Sequence, residues 1–173
     1  MPTKETCQKA REAGYSILSM SPQPPDTLLY KRAHFTTHLP VAYRYTPAHF
    51  WLAQEPDGVL RIGFTKFATR MLGEMVDHHF DLAPGTPVAC GQVIGWIEGF
   101  KALTELFCVA NGEFAGGNPA LLEDITLISR DPYAEGWLYQ VRGTFPDASL
   151  DAEGYRALLD ATIDGLLEAQ CRT

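Results

Sequence analysis

From residue 41 onward the apolar positions fall into short runs, continuous or alternating, that Gly, Pro and Asp interrupt. Runs at 41–45, 50–54, 59–64, 74–80, 88–98, 103–109 and 136–143 carry the signature of β-strands. Asp57-Gly58 is a tight-turn signal between two of them, and Pro84-Gly85 and Asn111-Gly112 mark further turns. So many short strands at close spacing predict a compact β sandwich or barrel rather than a parallel α/β sheet.

Two stretches change period from two to 3.6. In the first, Thr65 is a good N-cap, Phe67, Met71 and Leu72 share a face, and Gly73 is a natural stop. The second runs from about 151 to 168, where Tyr155, Leu158, Leu159, Ile163, Leu166 and Leu167 form one apolar stripe that packs on the barrel. The first forty residues differ in texture. Residues 3–13 fit one short helix ending at Gly14, and the proline-rich piece Ser21-Pro22-Gln23-Pro24-Pro25-Asp26 continues neither helix nor central strand. Residues 1–40 are therefore expected to be an N-terminal arm, with 27–35 extended along a domain that spans 41–173.

Composition narrows the function. With 14 basic and 21 acidic side chains, the formal net charge is -7. That balance gives no support for nucleic-acid or anionic-membrane binding, both of which need clustered Lys and Arg. No apolar run approaches the ~20 residues that span a bilayer, and the N-terminus has no hydrophobic signal stretch. Cys7, Cys90, Cys108 and Cys171 are scattered without a Cys-x-x-Cys pair, so the expectation is idle or buried thiols in a reducing, cytoplasmic setting. His78 and His79 are adjacent on a strand and point to opposite faces, which makes a poor chelate, so no metal is expected. Ser16, Ser19, Ser21, Ser129 and Ser149 lack a nucleophile-elbow setting, and no catalytic triad is evident. Gly116-Gly117 reads as a backbone turn, Trp96 and Trp137 as core residues in strands, and His49 as a partly buried, hydrogen-bonded side chain. His34 and His38 either cover the domain edge or meet a partner.

One local pattern carries chemistry. The segment Val93-Ile94-Gly95-Trp96-Ile97-Glu98-Gly99-Phe100-Lys101-Ala102 resembles the modification hairpin of biotinyl and lipoyl domains. A carrier lysine must stand at an exposed tip, reachable by the enzyme that acylates it, and Gly99 favours a tight turn beside Lys101. A free ammonium has a pKa of about 10.4, so the acylating enzyme must favour the neutral amine. Acylation would remove one positive charge, taking the formal net charge from -7 to -8 (−7 − 1).

The wider register ties this hairpin to a family. Tyr45, His49, Trp51, Leu52 and Asp57-Gly58 resemble the opening strand and turn of the glycine cleavage H proteins. Ile62-Gly63-Phe64-Thr65-Lys66-Phe67-Ala68 and Leu72-Gly73-Glu74-Met75-Val76 resemble their next strand and first helix. Glu98-Gly99-Phe100-Lys101-Ala102 resembles their lipoylation site, and Gly112-Glu113, Asn118-Pro119-Ala120-Leu121 and Asp131-Pro132-Tyr133-Ala134-Glu135-Gly136-Trp137-Leu138 follow in order. The resemblance covers roughly residues 44–168. It implies a barrel-sandwich hybrid with a short internal helix and a C-terminal helix, carrying lipoate in amide linkage on Lys101. It also implies a non-enzymatic shuttle of an aminomethyl group between glycine decarboxylase and an aminomethyltransferase, with reoxidation by dihydrolipoyl dehydrogenase. Glu98 holds the position associated with recognition by the lipoate-attaching enzyme. A biotin carrier normally has methionines on both sides of its lysine, where this chain has Phe100 and Ala102.

Departures from the family bear on cargo. Phe50 stands where a Glu usually follows the His of the opening strand, and Met71 where a polar residue, commonly His, precedes Leu-Gly-Glu. Glu105 matches a position usually held by Asp and is a candidate cleft acid. Gly99 and Phe100 replace a usual Ser-Val pair, and Val109 a common Pro. A carboxylate in the cleft could pair with the cationic amine of an aminomethyl group, which is costly to bury alone. Two alternatives to glycine cleavage therefore stay open: an H-like lipoyl carrier for another pathway, such as sulfur oxidation, and an unmodified H-like interaction module.

Overall fold

The computed structural model of the chain describes residues 26–171. The helix expected over 3–13 lies outside the described residues. The strands are β1 (Thr27–Arg32), β2 (Phe35–Pro40), β3 (Arg44–Tyr45), β4 (Phe50–Gln54), β5 (Val59–Phe64), β6 (Met75–Phe80), β7 (Pro87–Val88), β8 (Val93–Gly99), β9 (Ala102–Phe107), β10 (Asn111–Gly117) and β11 (Tyr139–Thr144). Helices are α1 (Lys66–Leu72), α2 (Leu127–Arg130) and α3 (Ala152–Cys171), with a 3-10 turn at Pro119–Leu122. A six-stranded sheet runs β3-β4-β5-β11-β10-β7, and a three-stranded sheet runs β6-β8-β9. The two sheets form a barrel-sandwich hybrid.

Strand β4 is the wall between two cores. Phe50 and Leu52 point into the barrel with Leu60, Ile62 and Phe64. On its other side, Trp51 and Ala53 join Tyr45, Phe67, Tyr155 and Leu159 beneath α3. That is why 50–53 reads as a continuous apolar run: both faces are covered. Trp51 is fully buried, and its indole Nε1–H donates to the Pro132 carbonyl at 2.8 Å. A Cβ at Gly63 on β5 would sit 2.7 Å from the indole ring, so glycine is what lets the two strands close over it.

Several expectations are corrected. The run at 88–98 is two strands, split by a turn at 89–92 that returns the chain toward β9. Asn111-Gly112 and Gly116-Gly117 do not form turns; they begin and end β10, which pairs with β11 on one side and β7 on the other. Glycine is required there by crowding, since a Cβ at Gly112 would lie 2.1 Å from the Arg142 carbonyl oxygen. Trp96 is half-buried on β8, and Trp137 precedes β11 in an irregular segment, with the Arg61 guanidinium 5.6 Å from its ring. Neither is a buried strand-core residue. On α3, Tyr155, Leu159 and Ile163 are buried, whereas Leu166 and Leu167 are exposed, so the packed stripe ends one turn early.

The extended piece expected over 27–35 is instead a hairpin, β1–β2, with Arg32 opposite Phe35. Its Tyr30, Phe35 and Leu39 belong to the core beneath α3. Arg32 makes a forked pair with Asp164 at 2.8 and 2.7 Å and reaches Asp160 at 3.1 Å. Tyr30 donates to the same Asp160 at 3.0 Å. These partners are substantially exposed, so packing rather than charge is the main attachment.

α3 is fastened to the wall by one hydroxyl. Tyr155 Oη lies 2.9 Å from His49 Nδ1 and 2.8 Å from Thr65 Oγ1, and its ring stacks on Tyr45 at 4.7 Å. Thr65 donating to Tyr155, and Tyr155 to His49, satisfies all three groups. Tyr155→Phe removes both bonds while keeping the stack. It should lower unfolding free energy by about 1–3 kcal/mol in urea titration, with an unchanged m-value.

Candidate functional site

The lysine sits at the tip of the β8–β9 hairpin. Gly99 pairs with Ala102, leaving Phe100 and Lys101 as a two-residue connection. Both are exposed, Phe100 at 76%. Among the described residues, the only non-glycines at positive φ are Ala33 and His49, so this turn lacks the left-handed residues of the usual two-residue hairpins. Its geometry is held from outside. Phe100 N–H donates to the Glu74 carbonyl at 2.8 Å, and Lys101 N–H to the Leu72 carbonyl at 3.0 Å. The tip is thus bolted to the loop joining α1 and β6.

Two glycines make that docking possible. Gly73 ends α1 at φ +81, a left-handed conformation, and its N–H donates to the Thr69 carbonyl. A Cβ there would lie 3.1 Å from Lys101 Cγ, so the lysine stem runs over Gly73. Gly99 is needed for close approach rather than for turning: a Cβ would meet the Leu72 oxygen at 2.4 Å. Lys101 Nζ then donates to the Arg70 carbonyl at 3.2 Å, near the carboxyl end of α1, where a cation is favourable.

Beside the tip is an apolar cleft of about 280 Å³, lined by His49, Phe50, Phe64, Met71, Thr104 and Glu105 among others. Phe50 is buried against Phe64 at 4.8 Å, whereas Met71 is 49% exposed and is no core residue. Glu105 is on β9, four residues beyond Lys101, and is the one carboxylate in the lining. A second apolar cavity of about 300 Å³ adjoins it through Ala48 and Phe107 and reaches Cys90 and Val109. Glu98 is exposed on the outer face of the three-stranded sheet, away from the cleft, directly opposite Asp77 of β6 and Leu103 of β9. The site residues expected from sequence therefore divide: Lys101 and Glu105 flank the cleft, and Glu98 faces outward.

His49 is half-buried and hydrogen-bonded to the Tyr155 hydroxyl, as expected from sequence, but it lies outside the opening strand to which it was assigned. It occupies the turn before β4 at φ +65, and its N–H donates to the Thr46 carbonyl at 3.0 Å while its own carbonyl accepts from Thr65 at 2.9 Å. Burial pushes its pKa below the ordinary histidine value, favouring the neutral ring. Nothing in the one-dimensional pattern marks a non-glycine residue for positive φ.

Known proteins with this arrangement are close at hand. The family profile described as "Glycine cleavage H-protein" matches residues 43–160. The chain belongs to the glycine cleavage H-protein family. The glycine cleavage system H protein of Bacteroides fragilis is 38% identical over 128 residues, covering 72% of this chain and 99% of that one. Its counterpart from Enterobacter sp. (strain 638) is 34% identical over 128 residues, with 72% and 98% covered. The crystal structure of a glycine cleavage system H protein from Mycobacterium marinum superposes with a TM-score of 0.62 at 33% identity, covering 69% of this chain and 97% of that one. H proteins are lipoyl carriers of glycine cleavage, components rather than catalysts, and that is the role this family membership gives the chain.

Two outcomes follow from the geometry. Gly73→Ala should strain the left-handed stop and push on the Lys101 stem. We expect a loss of about 1 kcal/mol in urea unfolding and faster hydrogen exchange at the Phe100 and Lys101 amides. For His49 the folded pKa lies below the unfolded value of about 6.5. Its contribution is therefore complete above the unfolded pKa and is lost as pH falls through the folded one. His49→Asn, which tolerates positive φ, should flatten the loss of stability between neutral pH and pH about 5, measured as the difference in urea midpoints from the parent chain.

Proposed function

We propose that this chain carries lipoate in amide linkage on Lys101 and shuttles an aminomethyl group between glycine decarboxylase and an aminomethyltransferase. Dihydrolipoyl dehydrogenase restores the disulfide, and a lipoate-attaching enzyme loads the lysine. The observation that carries this reading is the tip itself, an exposed lysine whose backbone is pinned by two amide hydrogen bonds beside an apolar cleft. A carrier needs both properties at once, freedom of the side chain and fixity of its root.

The chain's own residues do the positioning. Acylation requires Nζ to leave the Arg70 carbonyl, lose a proton to the enzyme's base and attack an activated lipoyl carbonyl, whose leaving group departs with the bonding pair. Glu98 contributes to recognition by the enzyme that carries out this step. The bound cofactor supplies the dithiol that accepts and releases the cargo. Glu105 gives the cleft a carboxylate for a cationic group, and Phe50, Phe64 and Met71 keep the rest of it dry.

The family match begins at residue 43, which supports reading 1–40 as an addition to a carrier domain of 41–173. Within it, the 26–40 portion is integrated through the core under α3. Among the described residues no helix is long and apolar enough to cross a membrane. We place the carrier in the cytoplasm, where the partner enzymes of glycine cleavage would meet it.

Incubation with lipoate, ATP and a purified lipoate–protein ligase should raise the intact mass by one lipoyl group. Lys101→Arg should show no gain while keeping its urea midpoint. An unchanged mass for the parent chain, with the ligase active on another H protein, would remove the carrier reading.

A further inference from the structure

Among the described residues, the outer face of the β6–β8–β9 sheet has no covering layer, and it lies immediately inward of the tip. The first outward-facing row is Asp77, Glu98 and Leu103, directly paired across the three strands. All three are exposed, Leu103 at 69%. Like charges directly opposite on a sheet repel, so the Asp77–Glu98 pair costs the isolated protein stability. Neither carboxylate forms an ion pair among the described residues. Asp77 Oδ1 accepts a hydrogen bond from the His78 amide at 2.7 Å, a local contact that leaves the charge uncompensated. The next row holds His79, Trp96 and Glu105; Trp96 is half-buried, and Glu105, on the edge strand β9, also borders the cleft.

From these placements we infer that this face is the docking surface for the enzyme that acylates Lys101, with Asp77 and Leu103 as specificity determinants beside Glu98. The inference rests on the reading of Lys101 as the attachment site. An interface of standard size buries about 800 Å² on each partner, a disc of roughly 16 Å radius. The Asp77–Glu98–Leu103 row lies two residues from Lys101 along the strands, roughly 7 Å at strand rise. An enzyme that surrounds the lysine therefore covers this row. Covering two adjacent carboxylates without a partner is costly, so the enzyme must bring a guanidinium or ammonium group to them. Leu103 and the protruding Phe100 supply the apolar contact beside that charge pair. The face thus carries what such a partner requires, an acidic pair and an apolar anchor within reach of one lysine.

The test is the initial rate of lipoyl transfer from a purified lipoate–protein ligase with lipoate and ATP, followed by intact mass. Asp77→Asn keeps the acceptor for the His78 amide and removes one charge. It should lower kcat/KM about tenfold, mostly through KM, and flatten the dependence on salt. Leu103→Ala should lower it by a similar factor without changing the salt dependence. The urea midpoint of Asp77→Asn should equal or exceed that of the parent chain, which separates recognition from folding. Wild-type rates and salt dependence for both variants, with Lys101→Arg still inert, would overturn the docking surface and leave the carrier lysine standing. Slowed glycine-dependent exchange with unimpaired lipoylation would also overturn it, by assigning the face to a different enzyme. No mass gain on the parent chain would instead remove the attachment site on which the inference depends.

Discussion

Two hydrogen bonds hold the tip of the β8–β9 hairpin in place: Phe100 N–H to the Glu74 carbonyl and Lys101 N–H to the Leu72 carbonyl. A two-residue hairpin with no left-handed residue does not match the natural twist of its strands, so the tip depends on an outside support. The loop after α1 provides it. That requirement propagates outward. The helix must stop abruptly, which Gly73 allows, and the tip must come close, which Gly99 allows. α1 must in turn be fixed to the barrel, which Thr65 achieves at its start by capping Ala68 and meeting Tyr155. A surface lysine is thereby connected, through one helix, to the packing of the C-terminal segment.

Strand β4 gives this arrangement its rigidity. Its alternate residues belong to two different cores, so it cannot shift register without exposing large side chains on both sides. His49 sits at the entrance to this strand, where its positive φ directs the chain from the Thr46 turn into the sheet. Strained backbone is retained where surrounding contacts overdetermine it, and here the contacts are the Thr65 amide, the Thr46 carbonyl and the Tyr155 hydroxyl. The same residue lines the cleft. Fold and site therefore share a structural element rather than occupying separate parts of the chain.

How much of this was legible in the sequence depended on which forces acted locally. Strands 50–54 and 59–64, the Thr65 cap and the Gly73 stop were readable because short-range pattern and capping determine them. Asn111-Gly112 and Gly116-Gly117 misled, since Gly112 and Gly117 answer to crowding from Arg142 and Phe80 in the folded barrel and Gly116 to positive φ at the β10 bulge, none of which a local window contains. Gly99 misled in the same way, its constraint being the Leu72 carbonyl. The stretch 27–35 was read as one extended piece because the turn within it, Ala33-His34, carries no Gly, Asn or Pro. At the site, the lysine was legible through a string of linked motifs, whereas the opposition of Asp77 to Glu98 was not. That contact depends on the bulge between Met75 and Asp77, which sets the β6 register.

The cleft can now be judged by what its walls contain. Phe50 occupies a position where a carboxylate would be expected from the family pattern, yet its ring is buried against Phe64. A charge placed there would sit at the edge of the barrel core, next to Leu52 and Ile62, and would need its own compensation. Met71, half-exposed, fills the opposite wall with a flexible and polarizable side chain. Polar character is left to Glu105, to the Thr104 hydroxyl and to an imidazole whose neutral form burial favours. A cation entering this cleft meets one carboxylate on an edge strand open to solvent, and that pairing is both weaker and more easily released than a buried one. For a carrier that must surrender its cargo to the next enzyme, release is as necessary as retention, and a single solvent-facing acid is compatible with both.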